Sequence, residues 1–163
     1  MKVAHYACMP VILFFLISTT VMAVDISALD RVSVLMPKQK VISILGPPDE
    51  RGKISIGLEA DIYKVAGAPK AKASSLLGAG LVYDANNILK GQALMFDGMV
   101  ARQSAEHMKS IGLTLVDEKN NSFQLLGKDD DSGLPIVVNV FEQDGMTTIM
   151  TFEKEFYDKM SKK

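Results

Sequence analysis

Pro37-Lys-Gln-Lys-Val-Ile-Ser-Ile-Leu-Gly-Pro-Pro48 is the stretch on which the fold turns. Proline is tolerated in a first helical turn, where its missing N–H would have no partner anyway. Val41, Ile44 and Leu45 fall on one helical face, and Gln39, Lys40 and Ser43 on the other. Gly46 supplies the left-handed residue that ends a helix, and Pro47-Pro48 forbids continuation. After Asp49-Glu-Arg-Gly52 the period changes to two. Lys53-Ile-Ser-Ile56 and Ala60-Asp-Ile-Tyr-Lys-Val65 alternate polar with apolar, as half-buried strands do. A helix that stops hard and hands over to alternating strands points to an α+β chain.

Outward from that stretch the same grammar continues. Upstream, Ser27-Ala-Leu-Asp30 fits a capped helix start and predicts a short helix over roughly 28–34. Downstream, residues 66–77 are small and basic and read as a surface loop. Gly80–Tyr83, a turn at Asp84-Ala-Asn-Asn87 and Ile88–Phe96 predict a hairpin, because Asp and Asn tolerate turn angles. Asp97-Gly98 breaks the pattern, which then restarts. Ala101–Ile111 reads as a third helix, with Ala101, Ser104, Ala105, Met108 and Ile111 on one stripe and Gly112 as its stop. Leu113–Val116 and Ser122–Leu126 flank a polar turn at Asp117–Asn121. Leu134–Phe141 and Met146–Phe152 flank Glu142-Gln-Asp-Gly145, whose Asp-Gly is a strong hairpin signal. The expected fold is α+β, with helices packed on an antiparallel sheet. Two similar helix-plus-four-strand halves, 24–98 and 99–163, stand in tandem and pack as one unit.

Residues 1–23 read as an export signal. Lys2 and the amino terminus are positive, Val11–Ile17 is an apolar core, and Val21-Met22-Ala23 offers a peptidase site. The apolar run is too short for a transmembrane helix, which needs about 20 residues. Cleavage near Ala23 implies the periplasm or secretion. Only Lys2 of the 18 basic residues lies in that segment and none of the 19 acidic ones, so the remainder is slightly acidic. No basic face for nucleic acid is present. The one cysteine, Cys8, precedes the apolar core, so the exported part has no thiolate site and no lipid-bearing cysteine after the signal.

No catalytic constellation emerges. His107 is the one histidine beyond the signal, sits beside Glu106 and Lys109 on the polar side of its helix, and has no serine motif to serve. Asp129-Asp-Asp-Ser-Gly133 superficially resembles a calcium loop, but its fifth position is Gly133 and its twelfth Val140. Asp84–Asn87 fails in the same way, with Leu89 where the loop glycine belongs. Met95, Met99, Met146 and Met150 have a spacing that could serve Cu(I), yet Met146, Thr148, Met150 and Phe152 simply form one face of a strand. Gly78-Ala-Gly80 reads as a strand entrance, not a phosphate loop. No cofactor or metal is expected, and the chain reads as a non-enzyme. The candidate partner-binding loops are 66–77, with Lys70 and Lys72, and the acidic tip Asp129, Asp130 and Asp131.

Leu35-Met-Pro-Lys-Gln-Lys-Val41 with Ile44-Leu-Gly-Pro-Pro-Asp49 resembles the Gly-Met-Thr-x-x-x-Val…Leu-Leu-Gly-x-Pro helix of the SmpA/OmlA (BamE-like) envelope family. Asp61-Ile-Tyr-Lys-Val65 and Leu81-Val-Tyr-Asp84 match its following strands, so the resemblance spans about residues 29–97. It implies a small α+β module that binds another envelope protein and supports outer-membrane assembly. Any membrane association would be indirect, through that partner. A tandem of such modules, as in the β-lactamase-inhibitor-protein fold, implies the alternative of a secreted inhibitor of a hydrolase. Pro37 replaces the motif's Thr, and Lys38 and Lys40 stand where the helix dipole favours acids.

Overall fold

The computed structural model describes residues 26–54, 56–65 and 75–162; the export segment, Lys70 and Lys72 lie outside them. Two short helices, α1 (Ile26–Leu29) and α2 (Lys38–Leu45), lead into strands β1 (Glu50–Lys53), β2 (Glu59–Lys64), β3 (Leu76–Tyr83) and β4 (Leu89–Asp97). Helix α3 (Ala101–Ser110) comes next. Then come β5 (Thr114–Lys119), β6 (Ser122–Lys128), β7 (Pro135–Gln143), β8 (Met146–Glu153) and a terminal helix, α4 (Lys154–Met160). All eight strands form one antiparallel sheet in the order β1-β2-β3-β4-β8-β7-β6-β5. The fold is mixed α and β, and the sheet dominates.

The sheet is covered unequally on its two faces. On one face α1 and α2 place Ala28, Leu29, Val41 and Leu45 against Tyr63, Ala79, Leu81 and Leu89. On the same face α3 seats Ala101 and Ala105 on Phe123, Leu125, Val138 and Val140. The opposite face buries Val82, Ala93, Met150 and Phe152 beneath Phe156, Tyr157 and Met160 of α4. Full burial of a side chain such as Phe152 contributes about 2–3 kcal/mol. Gln124 Nε2 fixes α4 in place, donating to Asn139 Oδ1 (3.0 Å) and to Tyr157 Oη (2.9 Å).

Helix α2 starts and stops where its sequence predicts. Pro37 is its N-cap, with its carbonyl accepting from Lys40 N and Val41 N, and Gly46 closes it at φ 82°. The hairpin over Asp84–Asn87 also forms: Asp84 Oδ1 accepts from Asn86 N (2.9 Å) and Ile88 N (3.0 Å). Asp144-Gly145 turns at φ 53° and 79°, the paired left-handed angles of a tight hairpin. Helix α3 has no capping side chain of its own, and distant residues fix its start. Glu142 Oε1 accepts from Ala101 N (3.1 Å), and buried Thr147 donates to Gly98 O while accepting from Val100 N, both at 2.8 Å.

Several expectations are corrected. The first helix is Ile26–Leu29, so Ser27 lies inside it; beyond it the chain runs through turns, with Val32 N donating to Leu29 O and Met36 N to Ser33 O, while Val32 and Val34 are buried. The strand expected at 53–56 lies at 50–53. Gly57, at φ 81°, bends the chain back, with Gly57 N donating to Ile54 O and Ile54 N to Leu58 O. Leu76 and Leu77 belong to β3 rather than to a loop, because Leu76 is buried in the core. β5 runs on to Lys119, since Asn120 and Asn121 alone make the turn (φ 50° and 59°). Ile111 leaves the apolar stripe of α3 and is 64% exposed. The α4 helix has no counterpart in the sequence pattern.

Candidate functional site

A solvent-open groove of about 930 Å³, lined by described residues, lies on the face that carries α1–α3. Its floor is Gln92 of β4, Thr151 of β8, and Ile136 and Val138 of β7. Sheet order builds this floor: β4 and β8 pair with Gln92 opposite Thr151, and β8 and β7 with Thr151 opposite Val138. One wall is the end of α3 and the corner into β5, with Met108, Ile111 and Leu113. Gly112, at φ 106°, makes that corner, and Leu113 N returns to Met108 O (3.0 Å). Gly127 must lack a side chain here, because a Cβ would lie 2.8 Å from Leu113 Cγ.

The rim is acidic. Asp30, just after α1, and Asp129, Asp130 and Asp131, between β6 and β7, face a single cation, Lys128. Asp129 is committed to its own turn: Oδ2 accepts from Ser132 N (2.9 Å) and Ser132 Oγ (2.7 Å). Asp130 and Asp131 are exposed. The acidic tip picked out by sequence therefore borders the groove. Lys70 and Lys72 lie outside the described residues. The rest of the groove escaped sequence reasoning, because its floor depends on β4 lying beside β8.

Other concavities contribute less. His107 is exposed and borders a cavity of about 280 Å³ with Phe96, Gln103 and Ser104; no carboxylate lines it. A cleft of about 330 Å³ holds Lys38, Arg51, Glu59, Asp61, Tyr83 and Asp84. Its groups mostly satisfy one another. Asp61 pairs with Lys38 (2.6 Å) and Arg51 (3.6 Å), and Lys38 Nζ lies 4.8 Å from the Tyr83 ring centroid. Burial, with Asp61 and Asp49 nearby, pushes the Tyr63 hydroxyl up to about 12. Burial, with Tyr63 and Asp61, raises Tyr83 further still. Among the described residues no group of three or more His, Cys, Asp or Glu could hold a metal. No described helix is long and apolar enough to cross a membrane.

No family model, curated protein or solved structure matches the chain. The functional reading therefore rests on the groove and on the sequence itself.

Proposed function

We propose that this chain is an exported, non-enzymatic protein-binding module that works with the outer-membrane assembly apparatus of the bacterial envelope. The observation that carries the reading is the acidic-rimmed groove, whose wall leaves Ile111 64% exposed beside half-buried Met108 and Leu113. An open groove with an apolar wall and a charged rim has the composition of a protein interface. The acidic rim disfavours phosphate-bearing ligands, nucleic acid included. The SmpA/OmlA-like motif adds two points of support. Leu35, at the motif's first glycine, has φ 69°, and Gly46 of its Leu-Gly-x-Pro end has φ 82°.

Crosslinking in intact cells that export the protein, followed by identification of the attached chain, tests this. An outer-membrane or envelope assembly protein is the expected adduct. Failure to recover any envelope protein would remove the reading.

A second reading, a secreted inhibitor of a hydrolase, is favoured by the element order. We read α2 with β1–β4 and α3 with β5–β8 as two similar halves in tandem, joined where the last strand of each meander pairs, β4 on β8. A pull-down returning a hydrolase would favour it. Loss of that capture on replacing residues 129–133 would place the contact at the acidic tip.

A further inference from the structure

The groove's chemistry specifies its occupant more narrowly than protein binding alone. Resting on the protein-binding reading, we propose that the groove takes an extended segment of a partner protein in which Lys or Arg side chains flank an aliphatic one. The charge pattern carries this. Elsewhere on the surface Glu118 is matched to Arg102, Glu106 to Lys109, Asp158 to Lys154 and Glu155 to Lys159. Exposed Asp97, Asp117 and Asp144 make no ion pair among the described residues, so what distinguishes the groove is that three such carboxylates border it together. On the groove rim Asp30, Asp130 and Asp131 make no ion pair among the described residues. Three unpaired carboxylates around one groove form a negative field that a cationic segment neutralises and an anionic ligand cannot enter cheaply.

The apolar wall sets the second half of the specificity. Ile111 stands out from the end of α3, held there by Ile111 N donating to His107 O (3.2 Å) and by the Gly112 corner. An aliphatic side chain from the partner would cover it and rest against Met108 and Leu113. Lys and Arg suit the flanking positions because their methylene stems can lie along this wall while their heads reach the aspartates. A volume of about 930 Å³ that opens to solvent accommodates a short stretch of chain lying along it.

The test places a photo-crosslinking amino acid at position 111, in place of Ile111, in the full chain made in intact cells. A second chain carries it at position 99, in place of Met99, which is 66% exposed and does not line the groove. The expected result is an adduct at 111 whose attached peptide, mapped by mass spectrometry, carries net positive charge. In that background Asp130→Lys with Asp131→Lys should lower adduct yield about tenfold, and Glu155→Lys on α4 should leave it unchanged. An unchanged thermal midpoint shows that the reversal variant is folded, and Ile111→Asp, scored by loss of partner capture, gives an independent check. An attached peptide that is neutral or acidic, an adduct to a second copy of this chain, or insensitivity to the reversal would each overturn the proposal. Adducts at 99 but none at 111 would overturn it and leave protein binding standing. Adducts at neither position would remove both.

Discussion

Lys38 Nζ lies 2.6 Å from Asp61 Oδ2 beneath the first turn of α2, and the Asp61 side chain is only 4% exposed. The contact is an ion pair without hydrogen-bond alignment at that oxygen. It explains a lysine where the helix dipole disfavours one: the dipole costs about 0.3–1 kcal/mol, and the buried carboxylate needs a cation more. Arg51, 3.6 Å away and 76% exposed, is a weak second partner.

Lys38→Met should therefore cost about 3 kcal/mol in urea unfolding, because it strands a buried carboxylate. Arg51→Met should cost under about 1 kcal/mol, as exposed pairs do. Lys38→Met combined with Asp61→Leu should recover most of the loss. Equal costs for the two single substitutions would mean that Lys38 is not the group holding Asp61 in the core.

Leu35→Gly should be neutral or mildly destabilising, by no more than about 2 kcal/mol, because opposing effects meet there. Leu35 sits at φ 69°, where a Cβ crowds the backbone, and relief of that crowding contributes about 1–2 kcal/mol. Glycine's extra unfolded-state entropy offsets about 0.5–1 kcal/mol. The side chain is only 39% exposed, so its removal loses about 1–2 kcal/mol of burial, while the Leu35 N to Leu89 O bond (2.8 Å) is kept. Chemical denaturation midpoints of the two proteins check the balance, and a clear gain would mean that backbone crowding outweighs burial at this position.

What could be read in the sequence was local. The α2 stop at Gly46-Pro47-Pro48, the Asp84–Asn87 turn and the Asp144-Gly145 hairpin are each fixed by residues that restrict their own backbone. Boundaries failed where a distant partner decides. β1 shifts toward its N-terminus because it pairs with β2, Leu76 joins β3 because the core under α1 and α2 accepts it, and α4 is set by the sheet face it covers. The candidate site divides the same way. Asp129–Asp131 announced themselves as a charged tip, whereas the exposure of Ile111 and the floor between β4 and β7 arise only once the sheet order is known.

Alkaline pH should destabilise the protein through its buried tyrosines. The Tyr63 hydroxyl titrates near 12 in the fold, against about 10 for an unfolded tyrosine, and Tyr83 is raised further. Their protonated forms are thus favoured by the native state. Their contribution is complete below pH 10 and is lost as pH climbs from there through 12, because the unfolded chain gives up its protons first. Tyr63 alone should account for about 2–3 kcal/mol across that window. Tyr83→Phe should be neutral or stabilising at pH 7, because the Tyr83 hydroxyl is buried without a hydrogen-bond partner. Stability measured at pH 8 and pH 11 in wild type and in the Tyr63→Phe, Tyr83→Phe double variant should show the alkaline decline flattened in the variant. An identical decline would assign it to other groups.

Gly91→Ala tests the packing between β4 and β8. Gly91 of β4 lies opposite Phe152 of β8, and a Cβ there would fall 2.1 Å from Phe152 Cδ1 and 2.9 Å from Thr151 O. The ring has little room to move, because Phe156 and Tyr157 pack on it with centroids 6.3 and 6.1 Å away. Overpacking of this kind costs about 1–3 kcal/mol when neighbours can shift, and the hemmed ring puts Gly91→Ala at the upper end. Adding Phe152→Leu should restore part of that stability, although Phe152→Leu alone destabilises by removing buried ring area. Contact between the two positions makes their effects non-additive. A double variant no more stable than Gly91→Ala would assign the clash to the Thr151 carbonyl instead, leaving the strand spacing between β4 and β8 as the constraint that requires glycine.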